Sequence, residues 1–252
     1  MVLEEVLYSI GEGAERLVVG TGKALWNMLF PKPSEEPPSF KVLRKLVKRD
    51  VTLHELLSLK LQLILITYLV LSLLVTLFLR ELVYLIALFV VEFLYIRYTI
   101  KRNWGFFIDP EPYRFFYCGI SVVAFLSFMG YIILREFALN FYYYYVYLVA
   151  VLAGVLLFRW YFRRLYGRDY TYGVVVEVKN DVIRVFVHDD LAANIKPGHY
   201  WVPAVPDAEP GRVVKLLIED RVLRGAVPTR VLEVYLGDQS SQISTEPNVQ
   251  AE

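Results

Sequence analysis

One cysteine, Cys118, in 252 residues excludes an intrachain disulfide, and three histidines leave few ligands for a metal centre. Charge of one sign is also missing: 27 Lys and Arg stand against 26 Asp and Glu, a net charge of +1. That balance gives no reason to expect a nucleic-acid partner. HExxH, GxSxG, CxxC and paired intramembrane aspartates do not occur. No acid, base and nucleophile can be assembled into a catalytic set, and no cofactor is expected. Gly20-Thr21-Gly22-Lys23 has the end of a phosphate loop but Leu17 where its first glycine belongs. The opening Met1-Val2-Leu3-Glu4-Glu5 lacks the basic stretch of a signal peptide, so insertion is expected to rely on the first span.

Long apolar runs are what the chain has. Hydrophobic residues make up 56% and the mean hydropathy is +0.43. Residues 61–79, 115–134 and 137–158 carry no charge, and 82–100 is broken only by Glu92 and Arg97. Each run is long enough to cross a hydrocarbon core of roughly 30 Å at about 1.5 Å per residue. Short Arg-Glu tips, Arg80-Glu81 and Arg135-Glu136, join the runs into two antiparallel hairpins. The basic residues collect at the other connections: Lys41, Arg44, Lys45, Lys48, Arg49 and Lys60; then Arg97, Lys101, Arg102 and Arg114; then Arg159, Arg163, Arg164 and Arg168. Cationic loops are retained in the cytoplasm, so both termini are expected inside a multi-pass protein of the cell membrane.

Around the spans, 53–168, four further segments are expected. Residues 1–30 carry an apolar stripe (Leu3, Leu7, Ile10, Ala14, Leu17) that predicts an amphipathic helix on the membrane surface. Residues 31–52 hold a stiff Pro-rich linker and a basic amphipathic helix, whose Lys41, Arg44, Lys45, Lys48 and Arg49 meet lipid headgroups. Arg159, Arg163 and Arg164, interleaved with Trp160, Tyr161 and Phe162, form a second interfacial anchor. Thr52-Leu53-His54-Glu55 reads as a capping box opening the first long helix. Ala150 and Gly154 offer a small-residue site for close helix approach. From 169 to 236 the period changes to two: Val174, Val176 and Val178 alternate with Val175, Glu177 and Lys179, and Asn180-Asp181 turns into a second strand at 182–188. Short strands follow near 199–204, 212–222 and 227–236. Five strands in so short a stretch predict a small cytoplasmic β-barrel, SH3- or OB-like. Residues 237–252 are polar and aperiodic and read as a disordered tail.

Glu92 is the leading site residue, because an ionisable group within a span is costly unless paired or hydrated. Its plain reading is an acid hydrogen-bonded inside the bundle or reaching Arg97; its sharper one is a transport or proton path. His188, Asp190 and His199 have the chemistry of metal ligands but match no closed motif, so exposed loop side chains are the preferred reading. The fold class is therefore membrane α-helical: a four-span bundle with a small C-terminal β-barrel. The layout places almost nothing outside and three elements inside. It suits a non-enzymatic accessory or scaffold protein with the lipid bilayer and a membrane or cytoplasmic protein as partners; the alternative is a small transporter or channel using Glu92.

Three stretches carry a resemblance: Phe30-Pro31-Lys32-Pro33-Ser34, Pro37-Pro38-Ser39-Phe40-Lys41 and Val51-Thr52-Leu53-His54-Glu55-Leu56. In these the chain resembles a family of archaeal multi-span membrane proteins of uncharacterised function. The resemblance implies an archaeal cell-membrane location and supplies no functional residues.

Overall fold

The computed structural model describes residues 31–34, 36–38, 40, 52–79, 81–137, 140–221 and 225–235. The surface helix expected over 1–30, the basic helix with Lys41, Arg44, Lys45, Lys48 and Arg49, and the tail over 237–252 lie outside the described residues.

Four helices are long and apolar enough to cross a membrane. Helix α1 runs Leu53–Leu74 and continues as a π-helical turn, Val75–Leu79. The others are α2 (Leu82–Arg102), α3 (Pro110–Phe137) and α4 (Tyr142–Tyr166). Glu55 reaches back from the first turn of α1, its Oε2 accepting the Thr52 N–H at 3.2 Å. Helix α3 starts with Pro110, whose missing N–H costs nothing at that position. Ser34, in the Pro-rich segment, donates its N–H to the Arg102 carbonyl at 2.8 Å and so closes the end of α2.

Helices α1, α2 and α3 pack on one another, whereas α4 packs mainly on α3. The close approach of α3 and α4 rests on Gly119, where a Cβ would stand 2.4 Å from the Phe158 ring. Gly154 has nothing within 4 Å of its Cβ position, so the small residue that brings these helices together sits on α3, not at the expected place on α4. The outer side of α4 presents Tyr145, Leu148, Val149, Leu152, Leu156 and Leu157, an apolar surface fit for lipid.

Beyond α4 the chain forms five antiparallel strands: β1 (Tyr170–Lys179), β2 (Val182–Val187), β3 (Gly198–Pro203), β4 (Val213–Glu219) and β5 (Val227–Val234). Their order is β3-β2-β1-β4-β5, and the edge strands β3 and β5 approach without pairing, so the sheet curls into a half-barrel. Asn180, at φ 49°, makes the tight turn between β1 and β2. The core is built from Val175, Ile183, Val185, Val187, Val202, Val214 and Leu216. Strand β1 reverses part of the sequence pattern. Thr171, Gly173 and Val175 point inward and Val176 and Val178 are exposed; a bulge interrupts the pairing with β2 between Val175 and Glu177.

Gly173 lies where β1 crosses β2, and a Cβ there would meet Val185 Cγ1 at 2.5 Å and the Phe186 carbonyl oxygen at 2.9 Å. Gly173→Val is expected to destabilise the sheet by about 1–3 kcal/mol through overpacking. In the full chain, hydrogen exchange of the β1 and β2 amides would then speed up by roughly tenfold or more; unchanged exchange would mean that the strands move apart without cost.

Candidate functional site: a polar seam from the β-sheet into the bundle

In a hydrocarbon medium, polar side chains turn toward one another because no solvent replaces the bonds they lose. Helix α1 follows that rule. Its buried polar residues are His54, Glu55, Ser58, Ser72 and Thr76, with Tyr68 among its buried aromatics. His54 and Thr76 are 22 positions apart, which spans about 33 Å along a helix.

At the end nearest the sheet, the seam is closed by the loop after β2. His54 Nε2 lies 2.8 Å from the Asp189 carbonyl oxygen. A carbonyl cannot donate, so Nε2 carries the proton. Ser58 donates its hydroxyl to Asp189 Oδ2. The Tyr113 hydroxyl, on α3, stands 3.2 Å from the same carboxylate oxygen. Phe107 and Tyr113 flank the His54 ring at 5.8 and 5.5 Å between centroids, edge to face. Serine, histidine and aspartate thus meet without forming a nucleophilic set. The serine proton goes directly to the aspartate and His54 Nε2–H to a backbone carbonyl, so the histidine does not stand between them as it does in a triad.

The neighbouring Asp190 faces the other way and closes the loop on itself. Its Oδ1 accepts the N–H groups of Ala192 and Ala193, each at 3.1 Å, and its Oδ2 accepts the Thr171 hydroxyl at 2.9 Å. Arg168, between α4 and β1, donates to Asp190 Oδ1 at 3.0 Å and stands 3.8 Å from Asp109, just ahead of α3. Burial pushes the Asp109 carboxyl above its ordinary value, against the pull of Arg168. Burial alone would lower the Arg168 guanidinium, but Asp190 and Asp109 together hold it above its usual range. His188 Nδ1 lies 3.6 Å from Glu55 Oε1, and Arg163 on α4 pairs with Asp220 after β4. The sheet is therefore latched to three of the four helices.

The residues singled out as metal ligands are placed apart in role. Asp190 is committed to Arg168, Thr171 and the loop backbone, while His188 and His199 pack against the Phe186 ring, at 4.9 and 5.2 Å. Among the described residues no group of three ligating side chains forms. Arg159, Arg163 and Arg164 are exposed at the sheet-side end of α4, with the Arg164 guanidinium 5.5 Å from the Trp160 ring centroid.

Farther in, the seam passes to α2 and α3. The Tyr117 hydroxyl lies beside Ser58. One turn on, Ser121 Oγ is 2.7 Å from the Tyr117 carbonyl and 2.7 Å from Glu92 Oε1. Glu92 is 5% exposed and points into the bundle. Arg97, one and a half turns further along α2, makes no salt bridge among the described residues and does not neutralise it. The Tyr68 hydroxyl lies near Ser72 and within electrostatic reach of Glu92. Thr76 Oγ1 donates to the Ser72 carbonyl at 2.7 Å, at the entry to the π-helical turn. Only Glu92 and Arg97 stood out in the sequence; the seam's hydroxyls became visible once three helices were brought together.

Asp190→Ala leaves Arg168 with Asp109 alone, at 3.8 Å. Loss of a partly buried, hydrogen-bonded charge pair costs about 2–5 kcal/mol, and the sheet is expected to come away from the bundle. Limited proteolysis of the detergent-solubilised full chain reads this directly: cleavage near Gly167 should accelerate in the variant, and a parent-like pattern would show that the contacts of Asp189, His188 and Asp220 hold the sheet without Asp190.

No curated protein and no solved structure matches the chain. Residues 25–232 match the model of a family described as "Predicted membrane protein (DUF2101)". That match covers the four apolar helices and nearly all of the sheet, and the chain belongs to this membrane-protein family of unknown function.

Proposed function

We propose that this protein is a non-enzymatic accessory or scaffold protein that presents its β-sheet at the cytoplasmic face of the cell membrane. The observation that carries the reading is the latch. Asp189 and Asp190 fix the sheet against α1, α3 and the exit of α4, so the sheet is held at one distance and angle from the bilayer rather than swinging from a tether. Rigid placement serves a protein that positions a partner. The exposed sheet surface offers a place for one. Trp201, 51% exposed, lies with Lys179, Asn180, Asp181 and Val182 around a shallow hollow at the β1–β2 turn. An aromatic rimmed by charge is the composition of a protein-binding surface.

The charge pattern supports the orientation. Lys60, Lys101, Arg102, Arg114, Arg163 and Arg164 all flank the bundle end that carries the sheet, and cationic ends stay in the cytoplasm. On that reading both termini are cytoplasmic. Lys41, Arg44, Lys45, Lys48 and Arg49 then lie at the inner leaflet with Arg159, Arg163 and Arg164, where anionic headgroups bind them. A second reading, a small transporter or channel, is favoured by the buried carboxyl of Glu92.

Native co-purification tests the first reading. After mild solubilisation of the source membrane, a stoichiometric partner is expected to remain bound and to be lost on Trp201→Ala with the fold intact. A protein that purifies alone, unaffected by Trp201→Ala, would overturn it. Flux into liposomes, compared between the parent and Glu92→Gln, tests the second: parent flux abolished by the substitution supports it, and no flux in either removes it.

A further inference from the structure

Glu92 is a carboxyl group inside the bundle with no salt-bridged cation among the described residues. Its Oε1 has Ser121 as a partner at 2.7 Å, but its Oε2 is buried without a hydrogen-bond partner among the described residues. Two more buried oxygens, the Tyr68 hydroxyl and Ser72 Oγ, in residues that are 2% and 0% exposed, lie beside each other and have no other partner among the described residues. Tyr68 and Ser72 are one helical turn apart on the inward side of α1, and Tyr68 lies within electrostatic reach of Glu92. Glu92 Oε2 therefore lacks a partner, and Tyr68 and Ser72 have only each other, in a protein region where an unpaired oxygen costs several kcal/mol. The π-helical turn after Ser72 adds a local departure from regular helix, of the kind often found at functional sites.

Hydrogen-bond counting shows what would complete the set. Ser121 has one proton and two acceptors, Glu92 Oε1 and the Tyr117 carbonyl, so it cannot satisfy both at once. A single positive charge on Glu92 removes the conflict. If that charge is a proton, the carboxyl becomes a donor as well as an acceptor, and Tyr68 and Ser72 offer it two oxygens. If it is a sodium ion, the same oxygens are hard ligands for it. The other titratable or charged groups around Glu92 are Tyr68 on α1, Tyr117 and Cys118 on α3, and Arg97 on α2, with Arg114 farther along α3. None of them supplies a cation within hydrogen-bonding distance among the described residues.

We propose that Glu92, with Tyr68 and Ser72, forms an intramembrane binding site for one exchangeable monovalent cation, a proton or a sodium ion in its place. The proposal deepens the transporter reading but does not require it, since a site that binds and exchanges without net flux is equally a binding site. Its test therefore measures occupancy, not transport.

Dicyclohexylcarbodiimide is the probe. A protonated carboxyl in an apolar setting adds across one of its C=N bonds, and the acyl group then shifts to nitrogen. The product retains every atom of both reactants, so the label is a mass increment on the Glu92 peptide. The full chain is treated in liposomes over a pH series, in sodium chloride and in choline chloride of equal ionic strength. Glu92 is expected to be labelled, with the rate falling about tenfold per pH unit above its midpoint. A pH-dependent rate that is the same in both salts assigns the site to the proton. A rate depressed at least severalfold by sodium, but not by choline, assigns it to sodium competing with the proton. Two variants guard against a folding defect. Glu92→Gln keeps the side-chain shape and should lose the label without loss of thermal stability, and Tyr68→Phe/Ser72→Ala should shift the labelling midpoint while keeping Glu92 reactive. No label at any pH in folded protein, or labelling indifferent to pH and to sodium, would overturn the proposal. A flux assay that fails while labelling behaves as expected removes transport and leaves the site.

Discussion

The structure depends on one constraint: polar side chains inside a membrane bundle must face each other. Apolar packing alone cannot set the rotation of a transmembrane helix, because lipid tails are as apolar as leucine and offer no preference for one face. The hydroxyls and acids of α1, α2 and α3 supply that preference. Turning α1 about its axis would pull Ser58 away from Asp189 and carry Tyr68, Ser72 and Thr76 from the bundle interior into lipid. The rotation fixed deep in the bundle is then inherited by the first turn of the same helix. His54 and Ser58 are thereby presented on the side where the loop after β2 arrives.

That inheritance explains how a small half-barrel can be held firmly without a large apolar interface. Asp189 and Asp190 are adjacent in sequence and work in opposite directions. Asp189 turns outward to α1 and α3, and Asp190 turns inward to shape its own loop and take Arg168. One dipeptide thus couples the conformation of the loop to its docking. Arg168 is the natural joint, since it follows α4 directly and reaches both Asp190 in the sheet domain and Asp109 ahead of α3. The more exposed pair of Arg163 and Asp220 adds a third point of contact, and its accessibility makes it the weakest of the three.

The spans and the five strands were legible in the sequence because hydropathy and period are local signals. Glu81 stands just ahead of α2 as expected of a tight tip, whereas Arg135 and Glu136 stay in the last turn of α3, which runs to Phe137 before α4 starts at Tyr142; Asn180-Asp181 makes the turn its composition announced. The latch was not legible. Ser58 and Asp189 are 131 positions apart, and His54 and Asp189 are 135. Nothing in either segment's periodicity names the other. The reading of His188 and Asp190 as exposed loop side chains placed them in a loop but missed their partners, which leave both half-buried. Small residues misled for a different reason. Gly154 and Gly119 look alike in sequence, and only the position of Phe158 decides which one a neighbouring ring occupies. In β1 the alternation of valines is real, but the core face is that of Thr171, Gly173 and Val175, and Val176 and Val178 face out.

The seam also makes the two polar sites parts of one object. Glu92 reaches Ser121, Ser121 reaches the Tyr117 carbonyl, and the Tyr117 side chain lies beside Ser58, which is bound to Asp189. After Glu92 on α2, the links run along α3 and α1, two of the three helices that hold the sheet. A change in the charge state of Glu92 alters which acceptor the Ser121 proton serves, and so acts on the same α3 backbone that carries Tyr113 to the latch. The accessory and cation-binding readings are therefore not rivals. The latch and Glu92 are joined through Ser121, Tyr117 and Ser58, a contiguous path of contacts along which the two proposed roles would be coupled.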